Sequence, residues 1–373
     1  MDEKKKNVPK RRFKEFKNAD AWEQRELGEV CNISTGKSNT QDKIDNGIYP
    51  FYVRSSIIEK STKYLFDETA VLTVGDGVGT GKIFHYVEGK YDLHQRVYRM
   101  FNFANEIHPK FFYYYLSLNF YERVMSMTAK SSVDSVRYDM LSKMHIYFPQ
   151  LEEQIRISKQ IDRFNEAITL HQRKLEKYKA IKESYLEEMF PAEGQRKPKR
   201  RFPGFTDDWE QSELGEVVEN IGTGKSKFII NNYDTENIYP ILGSTGVIGF
   251  DNQYDYEGEF VLTARVGANA GNLYKYKGSV KISDNTVFIQ NKRNNFIYFL
   301  LSYFNLKKLS FGTGQPLIKA SELKKLKLYL PNDQEQEKIE TILLNLDDTI
   351  TLHQKKLDKL KKLKEALLEE MFV

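Results

Sequence analysis

The chain has 373 residues, a net charge of +5 and a single cysteine, Cys31. This length suffices for two domains that each bury a core, and one cysteine excludes both a disulfide framework and a Cys-cluster zinc site. No apolar run approaches the roughly 20 residues of a membrane helix, and the lysine-rich N-terminus lacks a signal-peptide core, so we expect a cytoplasmic protein without membrane contact.

The beginning of the chain is repeated near its middle. A basic segment at residues 4–17 precedes the motif WEQRELGEV at 22–30, and a second basic segment at 196–201 precedes WEQSELGEV at 209–217. Basic segments of this kind attract phosphate backbones, although a charge run is more often a solvated face or a linker. The repeated order indicates two copies of one structural plan.

Glycine-rich and aromatic segments follow in the same order in both halves. VLTVGDGVGTGKIF at residues 71–84 and VLTARVGANAGNLY at 261–274 predict a strand, a tight glycine loop and a second strand. The aromatic runs that begin at Lys110 and Asn295 are apolar nearly all round and predict buried helices. Each half is therefore expected to be a mixed α+β globule.

Two short segments resemble a nucleotide-binding motif. STGKS at residues 34–38 and GTGKS at 222–226 are similar to the end of a P-loop, but Cys31 and Glu219 stand where the first glycine is required. The nearby glycine loop fails as well, because Asp76 occupies its first-glycine position. We do not expect nucleotide binding.

Two near-identical segments at residues 168–190 and 350–372 share 16 of 23 positions. Their apolar residues recur with a heptad period, which predicts two long helices that pair as an antiparallel coiled coil within the chain. The alternative is an amphipathic helix packed separately on each domain. The predicted seam consists of Ile161, Phe164, Ile168, His171, Leu175, Tyr178, Leu343, Leu346, Ile350, His353, Leu357 and Leu360.

The polar residues of these helices have structural explanations. His171 and His353 occupy equivalent seam positions, where a polar residue more often fixes register than binds metal, so we expect no metal site. At the start of the second helix, Asn332 with Glu335 resembles a capping box. In the first helix, Glu153 places a carboxylate near the positive end of the helix dipole.

The predicted fold class is α+β, with two tandem domains that are each followed by a long helix. The predicted boundaries are a first domain at residues 1–149, a first spacer helix at 150–190, a linker at 191–208, a second domain at 209–331 and a second spacer helix at 332–373. No catalytic cluster recurs in both halves, and the chain lacks the Pro-Pro pair of an amino-methyltransferase motif. We therefore do not expect an enzyme.

The tryptophan motifs, the proline-to-helix junctions at Pro149 and Pro331 and the repeated helices resemble the DNA-specificity (S) subunit of type I restriction-modification systems. The resemblance covers almost the whole chain. It implies two target-recognition domains that each read one half of a bipartite site in double-stranded DNA, and a helix pair that sets the half-site spacing. It departs from some members in lacking short tandem repeats in the spacer segments.

The same resemblance implies partners and cofactors. The chain would be a non-catalytic subunit that binds two modification (methyltransferase) subunits and restriction (motor-nuclease) subunits. Those partners would use S-adenosylmethionine, ATP and Mg²⁺ to methylate adenine or cleave DNA, and this chain would hold no cofactor. The alternatives are a coiled-coil scaffold or adaptor without DNA readout and a self-contained nuclease or methyltransferase.

Candidate DNA contacts are polar residues in equivalent loops that differ between the halves, since readout needs donors and acceptors. In the first domain these are Arg54, Ser55, Ser56, Lys82, His94, Gln95 and Arg96. In the second domain these are Ser244, Thr245, Arg265, Asn269, Asn285 and Gln315. Serine, threonine and asparagine often serve turns in such loops instead.

Overall fold

A computed structural model describes the chain in six ranges, residues 7–77, 79–127, 135–225, 230–236, 238–309 and 316–373. The chain forms two compact units. Unit 1 comprises Met1–Leu170 with Leu357–Val373, and unit 2 comprises His171–Lys356. Among the helices in these ranges, none is long and apolar enough to span a membrane.

The globule of unit 1 is built on a curled sheet. Its elements are β1 (Glu23–Glu26), α1 (Leu27–Val30), β2 (Asn32–Thr35), β3 (Tyr49–Tyr52), β4 (Ile58–Ser61), β5 (Phe66–Val74), β6 (Phe84–Leu93), β7 (Val97–Phe101), α2 (Pro109–Ser126), α3 (Tyr138–Ser142) and β8 (His145–Phe148), followed by the long helix α4 (Leu151–Met189). The sheet order is β2-β7-β5-β6-β3-β4, while β1 pairs with β8. Strand β6 ends beside the start of β5, where Tyr91 pairs with Phe66, whereas β7 begins beside the end of β5, where Val97 pairs with Val74. These two ends of β5 are about 26 Å apart. Residues 94–96 alone connect β6 to β7, and such a link spans at most about 14 Å, so the sheet must curl.

Unit 2 repeats this plan. Its elements are β9 (Glu210–Glu213), α5 (Leu214–Val217), β10 (Asn220–Thr223), β11 (Tyr239–Gly243), β12 (Gly246–Asp251), β13 (Tyr256–Ala264), β14 (Leu273–Ile282), β15 (Thr286–Gln290), α6 (Asn294–Phe304), α7 (Ala320–Lys324), β16 (Lys327–Leu330) and the long helix α8 (Asp333–Met371), which ends in unit 1. The sheet order β10-β15-β13-β14-β11-β12 matches that of unit 1, and β9 pairs with β16. The prediction of two tandem α+β globules with long helices is confirmed.

The aromatic runs form helices that cover the sheets. Helix α2 packs against β5 and β6, and α6 packs against β13 and β14. Pro109 starts α2, where its missing N–H costs no helical hydrogen bond, and Nδ1 of His108 accepts a hydrogen bond from the N–H of Phe111 at 3.3 Å. Phe111 and Phe112 are fully buried, as their apolar surroundings in the sequence predict.

Helices α4 and α8 run antiparallel where both lie in unit 2. Nδ1 of His171 lies 2.8 Å from Nδ1 of His353, and Nζ of Lys182 lies 2.5 Å from Oδ1 of Asp347. Position along α4 thus rises as position along α8 falls. The ring of Tyr178 stacks on His353 with centroids 5.5 Å apart, and all predicted seam residues are buried or half-buried. The prediction of an antiparallel pair within the chain is confirmed.

Each long helix ends in an aromatic pocket beside a tryptophan. In unit 1, Phe372 stacks on Phe111 with centroids 5.3 Å apart and meets Trp22 edge-on at 6.2 Å. In unit 2, Phe190 meets Trp209 edge-on at 6.1 Å. Such aromatic pairs stabilise beyond the area that they bury. The tryptophan motif and the LEEMF helix end are therefore the two sides of one repeated contact.

A buried ion pair joins each globule to the start of its long helix. Nε and Nη2 of Arg12 donate to the two carboxylate oxygens of Glu153 at 2.9 and 2.5 Å. Arg201 binds Glu335 in the same bidentate way at 2.8 and 2.6 Å. The side chains of Arg12 and Glu153 are only 4% and 0% exposed, so each charge depends on the other for solvation.

The neighbouring arginines bind the ends of the helices. Nε of Arg11 lies 2.6 Å from Oε2 of Glu370, and Nε of Arg200 lies 2.6 Å from Oε2 of Glu188. Their backbone N–H groups also donate to the carbonyls of Glu370 and Glu188 at 2.8 Å. The carboxylates of these helices bind one nitrogen of each guanidinium group, and the attraction of DNA phosphates by the basic segments stays a prediction. Residues 4–6 lie outside the described ranges.

The start of α8 forms half of the predicted capping box. Oδ1 of Asn332 accepts a hydrogen bond from the N–H of Glu335 at 3.0 Å, as predicted. The carboxylate of Glu335 does not return to the backbone, because it binds Arg201. Nε2 of Gln336 donates to the carbonyl of Pro331 at 2.9 Å, which explains a glutamine after the proline.

We expect Arg12→Ala to lower the free energy of unfolding of unit 1 by about 3–5 kcal/mol, because Glu153 would remain buried without a partner. The control Arg11→Ala removes an exposed pair and should cost less than about 1 kcal/mol. Urea unfolding followed by the fluorescence of Trp22, in a Trp209→Phe background, measures both losses. Equal losses in the two variants would contradict this assignment.

Candidate nucleic-acid interface

The candidate DNA contacts of unit 1 lie on loops that the curl of the sheet brings together. They are Arg54, Ser55 and Ser56 after β3, Lys82 before β6, and His94, Gln95 and Arg96 between β6 and β7. The N–H of Gly75 donates to the carbonyl of Arg96 at 2.9 Å, and the N–H of His94 donates to the carbonyl of Tyr52 at 3.0 Å. We call the described residues of 53–57, 75–83 and 94–96 loop cluster 1.

Two arginines share one carboxylate in loop cluster 1. Nη1 of Arg54 donates to Oδ1 of Asp76 at 3.2 Å, and Nη1 of Arg96 donates to Oδ2. Partial desolvation raises the pKa of Asp76, but the hydrogen bonds and charges of Arg96 and Arg54 lower that pKa more, so it lies below its ordinary value. The side chains of Arg54 and Arg96 remain 46% and 56% exposed.

His94 is buried and holds the turn that carries Arg96. Its Nδ1 accepts a hydrogen bond from the N–H of Arg96 at 3.1 Å, so Nε2 carries the proton and donates to Oγ1 of Thr40 at 3.3 Å. Burial and the charges of Arg54 and Arg96 lower the pKa of His94, which keeps the ring neutral at pH 7. A DNA contact by His94 stays a prediction, and its contacts here give it a positioning role.

The remaining candidates of unit 1 differ in how they are held. Nε2 of the exposed Gln95 donates to Oδ1 of Asn39 at 2.5 Å. Nζ of Lys82 lies 4.6 Å from the ring centroid of Tyr121, a cation–π contact. Oγ of Ser55 accepts a hydrogen bond at 3.3 Å from the N–H two residues on, so this serine also serves a turn.

The equivalent loops of unit 2, the residues 244–245, 265–272 and 283–285, form loop cluster 2. Its candidate contacts are Ser244, Thr245, Arg265, Asn269 and Asn285, while Gln315 lies outside the described residues. Oγ of Ser244 donates to the carbonyl of Asn285 at 3.4 Å, and Nη1 of Arg265 donates to the carbonyl of Asp284 at 3.3 Å. Thr245, Asn269 and Asn285 are exposed.

Glycines with positive φ close the turns of both clusters. Gly77 and Gly81 have φ of +96° and +69°, and the equivalent Gly267 and Gly271 have φ of +83° and +85°. Side chains other than glycine rarely adopt such angles. The glycine-rich repeats are therefore turn-forming segments.

The P-loop-like pentads allow a close backbone approach. A Cβ atom on Gly36 would lie 2.1 Å from the carbonyl oxygen of Leu93 at the end of β6, and one on Gly224 would lie 1.9 Å from the carbonyl oxygen of Ile282. The N–H of Lys37 donates to the same Leu93 oxygen at 3.1 Å. These glycines are needed where the chain after β2 or β10 meets a distant strand end. The last residue of the second pentad lies outside the described ranges.

Three residues of unit 1 that hold its candidate contacts were not predicted from the sequence. Asp76 binds two arginines, while Asn39 and Thr40 bind Gln95 and His94. A signal for Asp76 was present, because it is the only acidic residue in the glycine loop and Val266 replaces it in the second copy.

The seam histidines form a hydrogen bond with each other. Since Nδ1 of His171 and Nδ1 of His353 are 2.8 Å apart, one donates and the other accepts. Within the described part of the chain, no group of three His, Cys, Asp or Glu side chains could hold a metal ion.

Comparison with known proteins identifies a matching family model and similar sequences. The family model for the type I restriction modification DNA specificity domain matches residues 19–180 and 206–362. The type I restriction enzyme MjaVIII specificity subunit of Methanocaldococcus jannaschii is 25% identical over 391 residues, 93% of this chain and 91% of that protein. The EcoprrI specificity subunit of Escherichia coli is 28% identical over 122 residues, 32% of this chain and 30% of that protein.

A solved structure shares the fold. The crystal structure of the type-I restriction-modification S subunit from M. genitalium superimposes with a TM-score of 0.71 at 17% identity, and the match covers 98% of this chain and 99% of that chain. At this identity the likeness concerns the arrangement of elements.

We expect Gly36→Ala to lower the free energy of unfolding by about 1–3 kcal/mol, because the added methyl group would meet backbone that cannot move aside. Gly224→Ala should do the same in unit 2. The control Lys37→Ala removes the exposed lysine that a P-loop would require and should change stability by less than about 0.5 kcal/mol. Urea unfolding measures these losses, and a Gly36→Ala variant as stable as the unaltered chain would refute the packing role.

Proposed function

The chain belongs to the family of type I restriction-modification DNA specificity domains, and we propose that it is the sequence-specific DNA-recognition subunit of a type I restriction-modification complex. It reads a bipartite site with one domain per half-site and directs adenine methylation or restriction by partner subunits. The MjaVIII specificity subunit, which is similar to this chain over 93% of this chain and 91% of its own length, supports the proposal.

The observation that carries this function is the contrast between the two loop clusters. Both have the same glycine turns and the same backbone frame, yet their exposed side chains differ, as two readers of different bases require. A coiled-coil scaffold without DNA readout would have no use for two such sets of exposed donors and acceptors.

The chemistry would reside in the partners. As a specificity subunit the chain is non-catalytic and binds double-stranded DNA, two modification subunits and restriction subunits in the cytoplasm. The modification subunits would use S-adenosylmethionine for methyl transfer, and the restriction subunits would use ATP and Mg²⁺ for cleavage. The seam residues of the long helices remain candidates for pairing the helices that connect the two target-recognition domains.

We expect that exchanging residues 32–101, from β2 to β7, for those of another family member changes only one half of the methylated motif. The contacts of Arg12, Trp22 and Phe111 with the long helices lie outside this segment, so the helices should dock as before. Sequencing of methylated adenines in cells that also contain the modification subunits identifies the motif.

The reciprocal exchange of residues 220–290, from β10 to β15, should change only the other half. A motif that changes in both halves after either exchange would refute the assignment of one domain to each half-site. An assembled complex that methylates no bipartite motif would refute the function itself.

A further inference from the structure

The ion cluster of Arg54, Asp76 and Arg96 is present in unit 1 alone. At the equivalent positions unit 2 has the uncharged residues Ser244, Val266 and Asn285. The difference lies at the centre of the two loop clusters, where the loops after β3 and β11, β5 and β13, and β6 and β14 meet. Any role of the cluster is therefore specific to one half of the protein.

The fold of the loops does not require these charges. The N–H of Gly75 donates to the carbonyl of Arg96 at 2.9 Å, and in unit 2 the N–H of Arg265 donates to the carbonyl of Asn285 at 2.9 Å. The carbonyls of Gly75 and Arg265 also accept equivalent bonds at 2.7 and 2.8 Å. Because unit 2 forms this frame without the ion cluster, the charges are available for another task.

The cluster orients two exposed guanidinium groups. One nitrogen of each arginine binds Asp76, and among the described residues no partner occupies the other N–H groups, which can donate to a ligand. The main chain of Arg96 is fixed as well, through Nδ1 of His94 at 3.1 Å and the N–H of Gly75 at 2.9 Å. An arginine fixed in this way has less conformational freedom to lose on binding.

We propose that Arg54 and Arg96, oriented by Asp76, read guanine in the half-site bound by unit 1, an inference that rests on the proposed function. A guanidinium group donates two parallel hydrogen bonds to O6 and N7 of guanine in the major groove. The carboxylate of Asp76 repels phosphate oxygens, so the cluster favours a base edge over the backbone. Asp76 acts as a positioning residue.

The test measures whether the loss of DNA affinity caused by a base change depends on the two arginines. The full chain, assembled with its modification subunits, is titrated with its cognate duplex and with duplexes in which each G·C pair of the unit 1 half-site is replaced by A·T or carries 7-deazaguanine, which lacks N7. We expect the unaltered complex to lose about tenfold to a hundredfold in affinity at one or two of these positions. In the variants Arg54→Ala and Arg96→Ala, the same base changes should no longer lower the affinity of the complex.

Asp76→Asn tests the positioning role. It should reduce discrimination at the same guanine, while the thermal unfolding midpoint and discrimination at the other half-site stay unchanged, and Asp76→Glu should retain most of the discrimination. A merely structural carboxylate would shift the unfolding midpoint without changing base preference. The control Lys60→Ala removes an exposed charge from β4 and should leave discrimination intact.

Two results would overturn the inference and leave the proposed function standing. One is a unit 1 half-site, identified by the exchange of residues 32–101, that contains no G·C pair. The other is an equal loss of affinity for all duplexes in Arg54→Ala and Arg96→Ala, with a weaker salt dependence, which would assign both arginines to phosphates. Absence of any bipartite motif would overturn both proposals.

Discussion

The structure depends on the docking of each long helix end beside a tryptophan. Met371 and Phe372 belong to the core of unit 1, as Met189 and Phe190 belong to the core of unit 2. Trp22 thus meets a side chain from the last residues of the chain, and this contact closes a very large loop in sequence. Contacts of such separation slow folding, so unit 1 is expected to complete its core only after the rest of the chain is available.

This contact also explains why the scaffold is repeated so closely. Each globule binds an aromatic helix end beside its tryptophan, a glutamate at its exposed arginine and a second glutamate at its buried arginine, and each contact occurs in both halves. A change on one side would leave a buried charge or an unfilled pocket on the other. Among the described residues no ion pair joins the loop clusters to the long helices, so the side chains of the loop clusters can differ.

The sequence predicted the elements that are determined by residues close together in the chain. The heptad period of the helices, the glycine loop after β5 and the aromatic helices α2 and α6 are present as predicted. The bidentate pair of Arg12 and Glu153 was not predicted, because its partners stand 141 residues apart and only the topology brings them together. The parallel occurrence of KRRF and of a glutamate after each proline was the available signal.

In the candidate site, too, the features set by nearby residues were predicted and those set by tertiary contacts were not. The sequence indicated which loops would carry polar residues, because equivalent segments with unlike side chains can be recognised by alignment of the two halves. It could not indicate that His94 is buried, or that Asp76 joins Arg54 to Arg96, since both depend on the curl of the sheet. Roles within the cluster follow from tertiary contacts.

The two target-recognition domains also differ in the side chains that lie beneath their loop clusters. In unit 1 the buried Asp92 accepts hydrogen bonds from Oγ of Ser38 at 2.7 Å and from the N–H of Leu93 at 2.8 Å. At the equivalent position of unit 2, Nζ of Lys281 donates to Oδ2 of Asp251 at 2.8 Å. A buried carboxylate with hydroxyl and amide donors in unit 1 is thus replaced by a lysine–aspartate ion pair in unit 2, just before the turns that carry Arg96 and Asn285. A single loop moved between the units would therefore lie on different polar groups, so recognition should transfer only with the whole curled sheet.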